Sequence, residues 1–119
     1  MRYTFRLERV LTIRNRQREQ ATLRHAEARK RLEEAEQRLD LLTHVLEATM
    51  HELDRAKHAN RLNKETLHYH TLHCAGVKDD IKKTEYEVAE ANVAAERTAA
   101  ELLELSLIHI SEPTRQAEI

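Results

Sequence analysis

Apolar residues recur along the first half of the chain in alternating steps of four and three positions, beginning at Leu7. Between Ala28 and Ala56 every position reached by this stepping is apolar except Thr49. A 3.5-residue spacing sustained over this length predicts a helix whose apolar seam lies against a partner helix with left-handed supercoiling. This first seam comprises Leu7, Leu11, Arg14, Arg18, Ala21, His25, Ala28, Leu32, Ala35, Leu39, Leu42, Leu46, Thr49, Leu53 and Ala56.

The same stepping defines a second seam in the other half of the chain. Its members are Leu67, His70, Cys74, Val77, Ile81, Thr84, Val88, Ala91, Ala95, Thr98 and Leu102. Between the two seams, residues 57–66 are almost all polar, and Asn60 and Asn63 occupy positions that a continuous seam would bury. Because buried asparagines are unfavourable in a seam, this segment is predicted to be a turn.

The predicted fold is all-α, a long antiparallel two-helix coiled-coil hairpin over residues 1–104. Asn63 is expected to cap the second helix, and Glu65 lies in its first turn, where the helix dipole favours an anion. The heptad phase continues through the polar segment, so a single long helix in a parallel coiled-coil dimer is the alternative. Charge favours the hairpin, which brings residues 1–20, with net charge +4, towards residues 85–104, with net charge −5. The predicted elements are helix 1 over about 5–58, the turn over about 59–65 and helix 2 over about 66–104.

Composition narrows the class of protein. The chain has 119 residues, with 20 basic and 21 acidic side chains, one glycine, one proline and no tryptophan. This composition is typical of long helices without a concave pocket, so we expect neither an enzyme nor a small-molecule substrate. The single cysteine excludes an intramolecular disulfide, and the chain lacks an apolar run of about 18 residues, so we expect a cytoplasmic protein.

Two clusters of side chains are candidates for chemistry or recognition. His70, His73 and Cys74 share one helical face, but zinc needs four ligands at fixed distances. Because His70 and Cys74 also occupy seam positions, we expect no metal and no cofactor. Six arginines lie within residues 1–20, a pattern that can bind phosphates. The net charge of the whole chain is only −1, so a protein-binding surface is favoured over nucleic acid.

Residues 105–119 depart from the heptad pattern. The stretch from Leu105 to Arg115 resembles the translation of a transposase-type sequencing adaptor codon for codon, which implies that residues 105–119 are a non-native tail. Pro113 removes a backbone donor and clashes with the preceding turn of a helix. We therefore expect helix 2 to end at about residue 104 and the tail to lie outside the coiled coil.

The extreme N-terminus carries a recognisable motif. The positions that fit an F-x-L-x-x-V-L-x-x-R stretch are Phe5, Leu7, Val10, Leu11 and Arg14. With the long charged heptad helix that follows, residues 1–104 resemble the flagellar export protein FliJ family. The resemblance implies an antiparallel two-helix coiled coil, similar to the central stalk of rotary ATPases, that serves the bacterial flagellar type III protein export apparatus.

The resemblance also implies partners: the hexameric flagellar export ATPase, the membrane protein of the export gate, and export chaperones. It places the protein in the cytoplasm, peripheral at the cytoplasmic face of the inner membrane. The candidate partner-binding residues are Phe5, Arg6, Leu7, Arg9, Val10, Leu11, Ile13 and Arg14. The alternatives are the equivalent stalk of a virulence type III secretion system and a structural coiled coil without an ATPase partner.

Overall fold

The computed structural model of the protein contains two long α-helices. The described backbone covers residues 2–59 and 63–117, and the described side chains lie within 4–59 and 63–107. Helix α1 spans Arg2–His58 and helix α2 spans Lys64–Ala117. The two helices pack against each other as a hairpin, which confirms the predicted all-α fold in place of a single continuous helix.

The start of α2 is capped as its sequence predicts. Asn63 Oδ1 accepts a hydrogen bond from Thr66 N at 2.7 Å, which satisfies one of the backbone donors that a helix start leaves unpaired. Glu65 lies in the first turn, where its charge complements the helix dipole. Asn60, the other asparagine of the predicted turn, lies outside the described residues.

Contacts between the helices define an antiparallel register. The chain forms two compact units, which we call the terminal unit, Met1–Arg31 with Ala91–Ile119, and the turn unit, Leu32–Glu90. In the terminal unit, Arg24 Nη2 donates to Glu101 Oε1 at 2.7 Å. One residue further along α1, His25 Nδ1 lies 3.0 Å from Thr98 Oγ1. The paired residue numbers add up to 125 and 123, so the two segments run in opposite directions.

The turn unit has the same antiparallel arrangement. Arg38 Nη1 of α1 lies 3.5 Å from Glu87 Oε2 of α2, and these residue numbers again add up to 125. Both side chains are more than half exposed, so this ion pair adds only about 0.2–1 kcal/mol to the stability of the fold. Its value here is that it reports the register of the two segments.

The packing covers most of the predicted seam positions, and Leu7, Arg18 and Leu67 are the exposed ones. Every seam position from Leu11 to Ala56 is buried or half-buried except Arg18, and so is every seam position from His70 to Leu102. Small side chains dominate the buried set, which lets the two helices approach closely. Among the side chains that the structure describes, the buried ones are Ala21, Ala28 and Ala95 in the terminal unit, and Ala35, Val77 and Thr84 in the turn unit.

The end of α2 differs from the prediction. The helix continues past Glu104 and through Pro113 to Ala117, so the predicted end of helix 2 at about residue 104 is wrong. A proline removes one backbone donor and can kink a helix without ending it, provided that the flanking residues keep helical angles. Leu105 and Ser106 are half-buried, so the packing of α2 does not stop at Glu104 either. The adaptor-like origin of residues 105–119 stays a prediction.

Candidate docking surface

The start of α1 carries the residues predicted to bind a partner, and most of them face solvent. Phe5 is 75% exposed and Ile13 is 52% exposed. We call residues 5–14 the docking end. Its exposed members among the eight candidates are Phe5, Arg6, Leu7, Arg9, Val10 and Ile13, and its half-buried members are Leu11 and Arg14.

Heptad position explains this division. Leu11 and Arg14 lie on the seam that faces α2, and the packing half-covers both. Val10 and Ile13 each precede a seam residue by one position, which rotates them by about 100° onto the adjoining face of the helix. The seam therefore leaves an uncovered apolar strip beside it, formed by side chains that a two-helix hairpin has no means of burying.

The charge at the docking end is unfavourable for the helix that carries it. The first turn of α1 contains no acidic residue, and residues 1–20 have a net charge of +4. The N-terminus of a helix is the positive end of its dipole, so basic side chains there are destabilising by several tenths of a kcal/mol, roughly 0.3–1. An acidic partner surface would offset this repulsion while covering the apolar strip.

The histidine and cysteine cluster near the start of α2 makes other contacts. The rings of His73 and Tyr69 stack, with centroids 6.5 Å apart and planes 2° apart. His70 meets the same tyrosine ring edge-on at 5.9 Å, and Cys74 is a half-buried free thiol. In the part of the chain that the structure describes, no group of three or more His, Cys, Asp or Glu side chains is placed to hold a metal ion.

A second set of histidines lies on the exposed face of α1, where His44, His51 and His58 recur every seven residues. His44 Nδ1 donates to Asp40 O at 2.7 Å and lies 3.6 Å from Asp40 Oδ1. The backbone hydrogen bond, and after it the carboxylate charge, raise the pKa of His44 above its usual value of 6.5. His58 makes the same two contacts with Asp54. His44 and His58 thus each contact an aspartate one turn earlier on α1, and these contacts do not join the two helices.

The structure also presents a largely apolar surface that was not predicted from the sequence. We call it the outer stripe, and it consists of Val93, Glu96, Ala100, Leu103 and Leu107 on α2. All five are exposed, and Leu103 is 62% exposed. The sequence does contain a signal for the outer stripe. It is a second run of alternating three- and four-residue steps, which begins two positions after the seam residue Ala91.

Comparison of the chain with protein-family models, with curated proteins and with solved structures finds no match. Among the described residues, neither helix includes a stretch that is both long enough and apolar enough to cross a membrane. The basis for a functional proposal is therefore the docking end, the register of the hairpin and the N-terminal motif.

Proposed function

We propose that this chain is a coiled-coil component of the bacterial flagellar type III protein export apparatus. In this role it binds the hexameric export ATPase and the membrane protein of the export gate, and it escorts export chaperones at the cytoplasmic face of the inner membrane. The observation that carries the proposal is the docking end, an exposed apolar and arginine-rich helix start on an antiparallel hairpin. The motif within it, which resembles the FliJ family, supports the identity of the partners.

The physical argument starts from the cost of leaving the docking end in water. Burial of an exposed Val or Ile side chain on a partner is worth about 1.5–3 kcal/mol. Val10 and Ile13 lie on one strip beside the seam, so a single groove on a partner can cover both. Arg6 and Arg9 are exposed beside them and are suited to paired hydrogen bonds with carboxylates. In this proposal the chain acts on the ATPase and does not itself hydrolyse ATP.

The test is ATP hydrolysis by the cognate flagellar export ATPase with and without this chain. We expect stimulation by the chain, and we expect Val10→Asp combined with Ile13→Asp to weaken binding roughly 100-fold, because two apolar contacts are lost. Leu41→Asp is the matched control. Leu41 is a 66% exposed leucine of α1 in the turn unit, so its replacement should leave stimulation unchanged.

Circular dichroism separates loss of docking from loss of folding, because all three substitutions lie at exposed positions and should preserve the helical signal. The proposal is wrong if the chain neither binds nor stimulates the ATPase. The docking end is the wrong surface if stimulation survives the double substitution in a chain that remains helical. Binding without stimulation would restrict the role to that of a structural coiled coil.

A further inference from the structure

Helix α2 is apolar on two opposite faces between Ala91 and Leu107. One face is the seam that packs on α1, where Ala91, Thr98 and Leu102 are half-buried and Ala95 is buried. The other face is the outer stripe. The outward face of a helix in a two-helix hairpin is expected to be polar, whereas a helix that packs on both sides is apolar on both. The outer stripe therefore has the pattern of a helix–helix interface.

The spacing of the outer stripe specifies what kind of surface covers it. Its members follow one another at steps of three, four, three and four residues, which is the spacing of a coiled-coil seam. From Val93 to Leu107 the stripe extends about 21 Å along the helix at a rise of 1.5 Å per residue. Glu96 is its one charged member, and its carboxylate lies 3.5 Å from Asn92 Nδ2, one turn earlier on the same helix. A long helix fits this surface.

The charges along the two edges of the stripe identify the covering helix. One edge carries Arg97 and Glu104, seven residues apart and both exposed. The opposite edge carries no charge, since its residues are Asn92, Ala99 and Ser106. A second copy of α2 laid antiparallel on the first brings Arg97 of each copy opposite Glu104 of the other, so two ion pairs form. A parallel copy would place Arg97 opposite Asn92 and Glu104 opposite Ala99, with no ion pair.

The same antiparallel register also fits the apolar side chains. In the hairpin, the residue numbers of the seam pair His25–Thr98 add up to 123. Those of the pair Arg24–Glu101, which lies beside the seam, add up to 125, so the two sums differ by two. Arg24 and Glu101 each precede a seam residue, whereas Arg97 and Glu104 each follow a stripe residue, so the offset of two has the opposite sign at the outer stripe. The pairing of Arg97 with Glu104 therefore places Ala100 of one copy opposite Leu103 of the other, and Glu96 opposite Leu107. A small side chain then faces a large one on both sides of the symmetry axis, which is favourable packing for a two-fold interface.

We propose that the outer stripe is a homodimer interface, at which two copies of this chain pack antiparallel around Ala100 and Leu103, with Leu107 of each copy beside Glu96 of the other. The docking end takes no part in this interface. The homodimer can therefore be tested independently of the proposed function.

The first test is sedimentation equilibrium of the full chain across the micromolar range. The proposal requires a mass that rises from one copy to two with concentration. Leu103→Asp should raise the dissociation constant at least roughly 100-fold, because both copies lose a buried leucine. Leu41→Asp, at a leucine of α1 with similar exposure, should leave the dissociation constant unchanged. Circular dichroism of each variant confirms that it remains helical.

The second test uses charge reversal. Arg97→Glu alone and Glu104→Arg alone each create two like-charge contacts, so each variant should be monomeric where the unmodified chain is dimeric. An equimolar mixture of the two variants should form a heterodimer, because every contact between them is again of opposite charge. The double variant, with Arg97→Glu and Glu104→Arg in one chain, should dimerise by itself.

The proposal is overturned if the unmodified chain stays monomeric throughout this range, which would leave the outer stripe free for a helix of a different protein. It is overturned equally if dimers form but survive Leu103→Asp. Dimers that are lost in the single charge variants and not recovered in the mixture would exclude the antiparallel register.

Discussion

The polar pair on the seam of the terminal unit shows how single residues define the packing. Thr98 Oγ1 donates its only hydrogen to Ala95 O at 2.9 Å, so toward His25, 3.0 Å away, it acts as an acceptor. His25 Nδ1 must then carry the proton, and the neutral ring is the Nδ1–H tautomer. A polar pair in a seam of small and apolar residues contributes to the choice of register more than to stability.

Removing one member of this pair should lower the stability of the fold, whereas removing both members should change it little. Thr98→Val leaves the half-buried His25 N–H without its acceptor, which we expect to lower the free energy of unfolding by about 1–3 kcal/mol. Adding His25→Leu should recover most of that loss, because no polar group then remains on the seam. The measurement is urea denaturation of the single and double variants.

Thr71→Val is the control for that cycle. The Thr71 hydroxyl is exposed and donates only to Leu67 O, one turn earlier on α2, so its loss should change stability by less than about 0.5 kcal/mol. If the effects of Thr98→Val and His25→Leu simply add, the two side chains are not coupled and the pair does not define the register.

At the scale of the helix, α2 contains the one glycine of the chain at an exposed position. A Cβ atom added at Gly76 would meet no atom within 4 Å. Close approach of α1 therefore does not require a glycine here. What remains is its intrinsic cost in a helix interior, about 1 kcal/mol relative to alanine.

Gly76→Ala should accordingly raise the free energy of unfolding by about 1 kcal/mol, through helix propensity and a less flexible unfolded chain. Thermal or urea denaturation measures the gain. The neighbouring variant Ala75→Gly, also at an exposed position, should cause a loss of similar size. A neutral or destabilising result for Gly76→Ala would mean that the glycine has a role in the helix beyond propensity.

The helix ends also differ in how well their charges match the dipole. α1 finishes with Arg55, Lys57 and His58 in its last turn, and α2 starts with Glu65 in its first turn, so both ends beside the turn are matched. The start of α1 has no such match. This contrast is a physical reason to assign the docking end, and not the turn, to recognition of an acidic partner.

For the molecule as a whole, the question is whether residues 105–119 belong to the hairpin. If the register of the terminal unit continues to the end of α2, residues 105–117 run beside residues 7–19 of α1. Helices in water gain most of their stability from packing on a partner, so we expect the start of α1 to fray when that partner segment is absent.

Deleting residues 105–119 should therefore reduce the helical circular dichroism per molecule by more than the deleted segment itself contributes, and it should lower the thermal midpoint. Full-length Pro113→Ala is the control, and it should keep the helical signal or increase it, because it restores a backbone donor. An unchanged midpoint and unchanged ellipticity per residue would instead show that the tail is merely appended, as its resemblance to an adaptor implies.

Much of the fold and part of the candidate site could be predicted from the sequence. The 3.5-residue spacing specifies which side chains face a partner helix, and the polar segment with Asn63 specifies where the chain turns, because both signals are local and repeat along the chain. The docking end was identifiable for the same reason, as a motif with arginines interleaved among apolar residues. The partners named for it stay predictions.

Other features depended on the tertiary structure. A heptad spacing has the same form whether or not a helix covers it, so only the packing shows that the seam through Leu102 is covered and that the outer stripe through Leu103 is not. The penalty of Pro113 is local, whereas helix formation is cooperative over many residues, so the sequence misplaced the end of α2. The pairing of His25 with Thr98 joins residues far apart in the chain, and only the antiparallel register brings them together.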